Sequence, residues 1–168
     1  KIMYGDITSK RGINQSNIKA RLGNEIKVYA ENNHFKAADV QQIIHLVDMD
    51  GAFVDDSVII EDETKDKFVY TLESVIVPNR QVAIERNEHK RENLNTLSSR
   101  TSVMWNNIPY KIYYMSCNLD HVLHDKPNAT DEEKKANSLA FTEMYYDDIN
   151  AFIKFISEST FSQCTDYQ

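Results

Sequence analysis

The sequence predicts an α/β domain with a mostly parallel central sheet flanked by helices, and three stretches predict it. Residues 43–47, IIHLV, are a β-branched apolar run of strand length, the pattern of a strand buried on both faces. Residues 110–116, YKIYYMS, read as the second clear strand. Between them and the start, from Ser16 to about Asn32, apolar residues fall at Ile18, Leu22, Ile26 and Tyr29. That spacing is one face of a helix. With KIMYG at the start read as a short strand, the order strand, helix, strand is a βαβ unit, and such units build parallel sheets.

The remaining elements follow in order. DITSKRGINQS is a loop punctuated by Gly12, and Ser16 is a fair N-cap for the helix after it. SVII and KFVYTLESVIV, on either side of the acidic loop EDETKD, read as short strands or extended segments. Pro78-Asn79-Arg80 punctuates. Residues 80–105 read as a polar helical insertion, a solvated helix or a projecting hairpin, with few apolar anchors. That segment holds the main basic cluster, Arg86, His89, Lys90, Arg91 and Arg100, with acids interleaved as on a solvated face. NLDHVLH is a helical turn. The stretch from Asn128 onward is helical, with Thr130 and Glu133 spaced as a capping box. Its wide apolar stripe, Leu139 to Ile156, is expected to dock on the sheet.

Bulk properties narrow the function. The 168 residues suit one domain, 41% hydrophobic and 27% charged, a globular balance. A formal net charge of -7 gives no sequence-wide attraction to phosphate backbones, so contact with nucleic acid needs a local basic face or bridging metal ions. Cys117 and Cys164 have no CxxC spacing and form no zinc pattern with the five histidines, which fits reduced thiols in a cytoplasmic protein. No apolar run approaches a membrane span of about 20 residues. There is no signal peptide. The chain opens on Lys1 within an apolar stretch, and is read as a fragment of a longer protein.

The chemistry concentrates at VDMDG. Asp48 and Asp50 lie one residue apart just past the first clear strand. In open α/β sheets the carboxyl ends of strands line the binding crevice. Mg²⁺ takes oxygen ligands, commonly one or two carboxylates with waters and substrate phosphates. Gly51 allows a sharp turn and leaves room for a ligand. The plainer alternative is that the two aspartates only turn the chain. His121 and His124, spaced three apart on a probable turn, read as a surface pair, and His45 as a satisfied core histidine.

IIHLVDMD resembles the TOPRIM fold of topoisomerases, primases and nucleases, in particular the overcoming-lysogenization-defect and RloB-like branch, whose Asp-x-Asp motif follows a hydrophobic strand. The resemblance implies a Mg²⁺ (or Mn²⁺) dependent nuclease-like hydrolase acting on DNA or RNA, in a phage-defence setting, with Asp48 and Asp50 as metal ligands. YYMSCNLDHVLH is similar to a later segment of the nuclease branch and places Ser116 and Asp120 near the site. These families also carry a Glu after an earlier strand. Asp6, after KIMYG, is a candidate partner; otherwise the strand that bears the Glu lies upstream of Lys1.

LVDMDGAFVDD also resembles the first motif of haloacid-dehalogenase-like phosphatases. That resemblance implies Asp48 as nucleophile, Asp50 as general acid, Ser116 in the second motif, Lys134 or Lys135 in the third and Asp147-Asp148 in the fourth. Here a βα unit precedes the motif and Ala52 stands where Thr or Val is usual. A third reading is a non-catalytic interaction domain whose charged insertion binds a protein partner. Oligomeric state is not legible.

Overall fold

The computed structural model describes residues 5–158, so residues 1–4 of the KIMYG stretch and Cys164 lie outside the described residues. The chain is mixed α/β. Its elements are α1 (Ile18–Asn32), β1 (Ile43–Asp48), β2 (Ile59–Glu61), β3 (Val69–Tyr70), β4 (Val75–Val77), α2 (Arg80–Ser98), β5 (Tyr110–Met115), α3 (Leu119–His124), α4 (Asp131–Tyr145) and α5 (Ile149–Glu158).

β1 and β5 pair in parallel, with Ile43 opposite Tyr110 and Asp48 opposite Met115. Asp48 and Ser116 therefore leave the pair at the same edge. The pairing continues past the strands: Met49 N–H donates to Met115 O at 3.0 Å and Asp50 N–H to Cys117 O at 3.0 Å. The expected single central sheet is, among the described residues, two small sheets. β2 and β4 pair in parallel, and β3 adds antiparallel to β4. SVII and KFVYTLESVIV are too short and too broken by polar residues to extend the first sheet.

β1 is not buried on both faces. Val47 is buried, but Ile44 is 58% and Leu46 61% exposed, and Tyr113 on β5 is 49% exposed. One face of the pair is packed and the other is open. On the packed side Val47 and Met49 meet Leu94 of α2, with Ile112 and Tyr114 alongside. A second cluster joins Ile7, Ile13, Ile18, Leu22, Leu97, Val103 and Tyr110. Each fully buried aliphatic side chain there contributes about 1.5–3 kcal/mol. His45 is satisfied, its Nδ1 2.8 Å from the Tyr110 hydroxyl, and burial pulls its pKa down.

The 80–105 segment departs most from expectation. Residues 80–98 are one unbroken helix, and its inner face is buried rather than solvated. Ala83, Asn87, Lys90, Asn93, Leu94 and Leu97 face the interior. Asn79 caps the helix by accepting from Val82 N–H at 3.0 Å, and Glu61 accepts from Arg80 N–H at 2.7 Å. The two asparagines on the face hold other backbone: Asn87 donates to Gly51 O at 3.0 Å and Asn93 to Thr8 O at 2.9 Å. Buried amides are tolerable when hydrogen-bonded in this way.

Two smaller corrections follow from local chemistry. The N-cap position of α1 is Asn17, not Ser16, and its side chain makes no cap bond to the helix. Asn17 Oδ1 instead accepts from Asn14 N–H, and Asn14 Oδ1 accepts from Ser16 N–H, so these side chains shape the loop. The C-terminal helical stretch is two helices, broken before Asp148, which accepts from Ala151 N–H at 2.9 Å. Its stripe does not dock on the sheet. Phe141, Tyr145, Phe152 and Phe155 pack on one another between α4 and α5, with centroids 4.9–6.3 Å apart. Leu139, Ile149 and Ile153 remain exposed. The Thr130 capping box of α4 forms as its sequence predicts.

Candidate active site

The chain leaves β1 at Asp48 and turns at once. Asp50 takes a left-handed conformation, φ 48°, and Gly51 follows at φ 75°. A non-glycine residue there is uncommon, though Asp tolerates it better than most. Two positive φ angles in succession reverse the chain over the strand end. The Gly51 carbonyl is then held by Asn87 and the Asp50 carbonyl by Arg86, both from α2.

α2 also delivers two cations to the aspartates. Lys90 Nζ lies 2.8 Å from Asp50 Oδ2 and 3.1 Å from Asp6 Oδ2, and its side chain is 0% exposed. Arg86 Nη2 lies 3.1 Å from the same Asp50 Oδ2. The Arg86 guanidinium stands 5.3 Å from the centre of the Phe68 ring. A fully buried ammonium is tolerated only when paired and hydrogen-bonded, and Lys90 has both carboxylates. Asp6 is fixed in turn by the Ser9 hydroxyl and by the Thr8 N–H and hydroxyl.

Asp48 has a different environment. Burial, and then the neighbouring charge of Asp50, push its pKa up; the Lys90 ammonium and the Leu119 N–H work the other way. Burial and the neighbouring carboxylate thus disfavour the charged form of Asp48. Cys117 lies beside the pair. Burial and the charges of Asp50 and Asp48 push its thiol up to about 11, which disfavours the thiolate. Tyr70 donates to the Asp50 carbonyl at 3.3 Å, and burial and the Asp50 charge hold its phenol well above its ordinary range.

The sequence-predicted residues separate here. Asp48 and Asp50 come together at the strand edge. Ser116 follows Met115, the register partner of Asp48, at the same edge. Asp120 follows Leu119, whose backbone N–H bonds Asp48, and its Oδ1 accepts from Asn137 Nδ2 at 3.2 Å, tying α3 to α4. The basic cluster does not form an outward face. Lys90 and Arg86 point into the carboxylates, and His89 Nε2 contacts the Ile13 carbonyl. Sequence reading missed Lys90 and Arg86 as site residues. A signal existed, since Ala83, Asn87, Lys90, Leu94 and Leu97 share one helical face, but only if polar residues are allowed to point inward.

The donor set fits a divalent ion in part. Among the described residues, no three His, Cys, Asp or Glu side chains gather to hold a metal. Mg²⁺ does not require three, because waters and substrate oxygens complete its shell. Lys90 and Arg86 both hold Asp50 through Oδ2. The carboxylates of Asp48 and Asp50 are the ligands this chain would offer.

Comparison with known proteins gives no match: no family model, curated protein or solved structure resembles the chain significantly. No helix among the described residues is long and apolar enough to cross a membrane.

Proposed function

We propose that the chain carries a Mg²⁺-dependent phosphoryl-transfer site that acts on nucleic acid, as its resemblance to TOPRIM-like nucleases implies. One observation carries the reading: Asp48 and Asp50 leave a parallel strand pair at its carboxyl edge, beside a buried lysine that neutralises one of them. A bound Mg²⁺ supplies Lewis-acid stabilisation of phosphoryl charge. The chain's own residues have simpler tasks. Asp48 and Asp50 would hold the ion. Lys90 and Arg86 anchor Asp50. Tyr70, Asn87 and Arg86 fix the Asp50-Gly51 backbone so that the carboxylates keep their geometry.

The aspartyl-phosphate reading has less support. Asp50 is tied to two cations, the role of an anchor rather than of a proton carrier. The lysine at the site is Lys90, not Lys134 or Lys135 on α4, and Asp148 serves as a cap for α5. An interaction role has one supporting observation, the exposed apolar residues on β1, β5, α4 and α5.

The test is cleavage of plasmid DNA, single-stranded DNA and RNA by the full-length protein in Mg²⁺, Mn²⁺ or chelator, beside hydrolysis of a small phosphomonoester. Metal-dependent cleavage of nucleic acid should fall by about 10²-fold or more in Asp48→Asn, the loss expected when a few kcal/mol of charge stabilisation goes. Turnover of the phosphomonoester with nucleic acid left intact would refute the proposal.

A further inference from the structure

Two apolar faces of this chain lie open. The first is one side of the β1–β5 pair. Ile44, Leu46 and Tyr113, the register partner of Leu46, are about half exposed or more. Lys111, opposite Ile44, sets a positive charge on that side. Parallel strands are normally covered by helices on both faces. The second is the outer side of the α4–α5 hairpin. Ile149 and Ile153, four residues apart and so on one helical face, are more than half exposed, as is Tyr146 beside them. Glu143, Asp147 and Asp148 flank the turn between the helices, all of them exposed. An apolar helical stripe is what covers a sheet face. The acids of the turn are opposite in sign to Lys111.

We propose that the chain forms a two-fold dimer in which the α4–α5 hairpin of each copy covers the open β1–β5 face of the other. The hairpin does not cover its own sheet because its base is tied down. Tyr70 N–H donates to Asn128 Oδ1 at 2.7 Å, and Asn128 Nδ2 donates to Tyr70 O at 2.7 Å, which fixes the loop ahead of α4 on β3. Asn118 Nδ2 donates to Pro127 O at 2.8 Å and Asn137 Nδ2 to Asp120 Oδ1 at 3.2 Å, which holds that loop and α4 against α3. Folding the hairpin back onto its own sheet would strain or break these bonds; a second copy leaves them intact. Two-fold symmetry repeats the contact, so all four open faces are covered at once. Charge favours the pairing locally, with Glu143, Asp147 and Asp148 drawn to Lys111, in a chain whose net charge of -7 otherwise opposes self-association. The dimer does not depend on the Mg²⁺ reading.

The decisive measurement is the mass in solution of the full chain, by sedimentation equilibrium, for wild type, Leu46→Glu on the sheet face and Ile153→Glu on the hairpin. Both side chains are exposed, so circular dichroism should show both variants folded. Wild type should have twice the mass of one chain, and each variant alone should have the mass of one. Leu46→Glu keeps a sound hairpin and Ile153→Glu a sound sheet face. An equal mixture therefore restores one of the two contacts and should form a mixed dimer as concentration is raised. A monomeric wild type would overturn the proposal, whether the face stays bare or takes its own hairpin. A dimer that Ile153→Glu breaks and Leu46→Glu keeps would place hairpin on hairpin and also overturn it. So would a mixture that stays monomeric at every concentration. Should a variant not fold, Lys111→Glu replaces it, and a dimer as tight as wild type would then count against the proposal.

Discussion

Asp6 lies beneath the ammonium of Lys90, where burial disfavours its charge. Hydrogen bonds from Ser9 and Thr8, with the Lys90 charge, outweigh that burial and bring its pKa down to about 2. A carboxylate whose folded pKa lies below its ordinary value near 3.9 stabilises the fold above that value and loses the contribution as pH falls through the folded one. Wild type should accordingly lose stability between about pH 4 and pH 2, and Asp6→Asn should show a shallower loss over that window. Acid titrations of the unfolding midpoint for both proteins check it. Lys90 permits a stronger statement. Lys90→Met leaves Asp50 short of one partner and Asp6 short of its cation. Removing one member of a buried ion pair costs on the order of 3–5 kcal/mol. Because Arg86 still covers Asp50, the lower end is expected, in chemical denaturation. The double variant Lys90→Met/Asp50→Asn should lose less than the two single losses combined, since the residues touch.

At the scale of elements, α2 carries both the packing and the site. Leu94 and Leu97 bind two apolar clusters, while Asn87, Lys90 and Asn93 occupy the same buried face. α1 packs against the loop before β5 through Gly23. A Cβ at that position would stand 2.6 Å from the Val103 carbonyl oxygen, a backbone atom. Gly23→Ala gains about 1 kcal/mol of helix propensity. It also forces backbone to shift, and overpacking of this kind costs about 1–3 kcal/mol. The expected result is net destabilisation, seen as a lower denaturant midpoint at unchanged slope. α1, β1, β5 and the Thr130 cap were legible in the sequence because each depends on local pattern: period, β-branching, and a Thr–Glu pair three apart. The role of α2 was not. A helix whose inner face includes Asn, Lys and Asn has the same composition as a solvated one, and only the partners, Gly51 O, Thr8 O and two carboxylates, distinguish them. Those partners lie 36 to 85 residues away in sequence.

At the scale of the molecule, the parallel pairing of β1 with β5 and the meeting of Asp48 with Asp50 at its edge follow from apolar runs that end in polar turns. Division into two sheets does not, since β2, β3 and β4 are two or three residues long and lack a period. Nor does the exposed stripe on α5, because an amphipathic helix reads the same whether it covers a sheet or meets another helix. The central claim is that Asp48 and Asp50 hold a divalent ion in the folded protein. Thermal unfolding of full-length wild type and Asp48→Asn, with and without Mg²⁺, tests it most directly. A ligand that binds only the folded state stabilises it by about 2.7 kcal/mol at a hundredfold excess over its dissociation constant. The account predicts that Mg²⁺ raises the wild-type midpoint by several degrees and leaves Asp48→Asn unmoved. A wild-type midpoint indifferent to Mg²⁺, with Asp48→Asn weakened by about 0.5–2 kcal/mol in both conditions, as a lost cap would be, would contradict it and make VDMDG a turn.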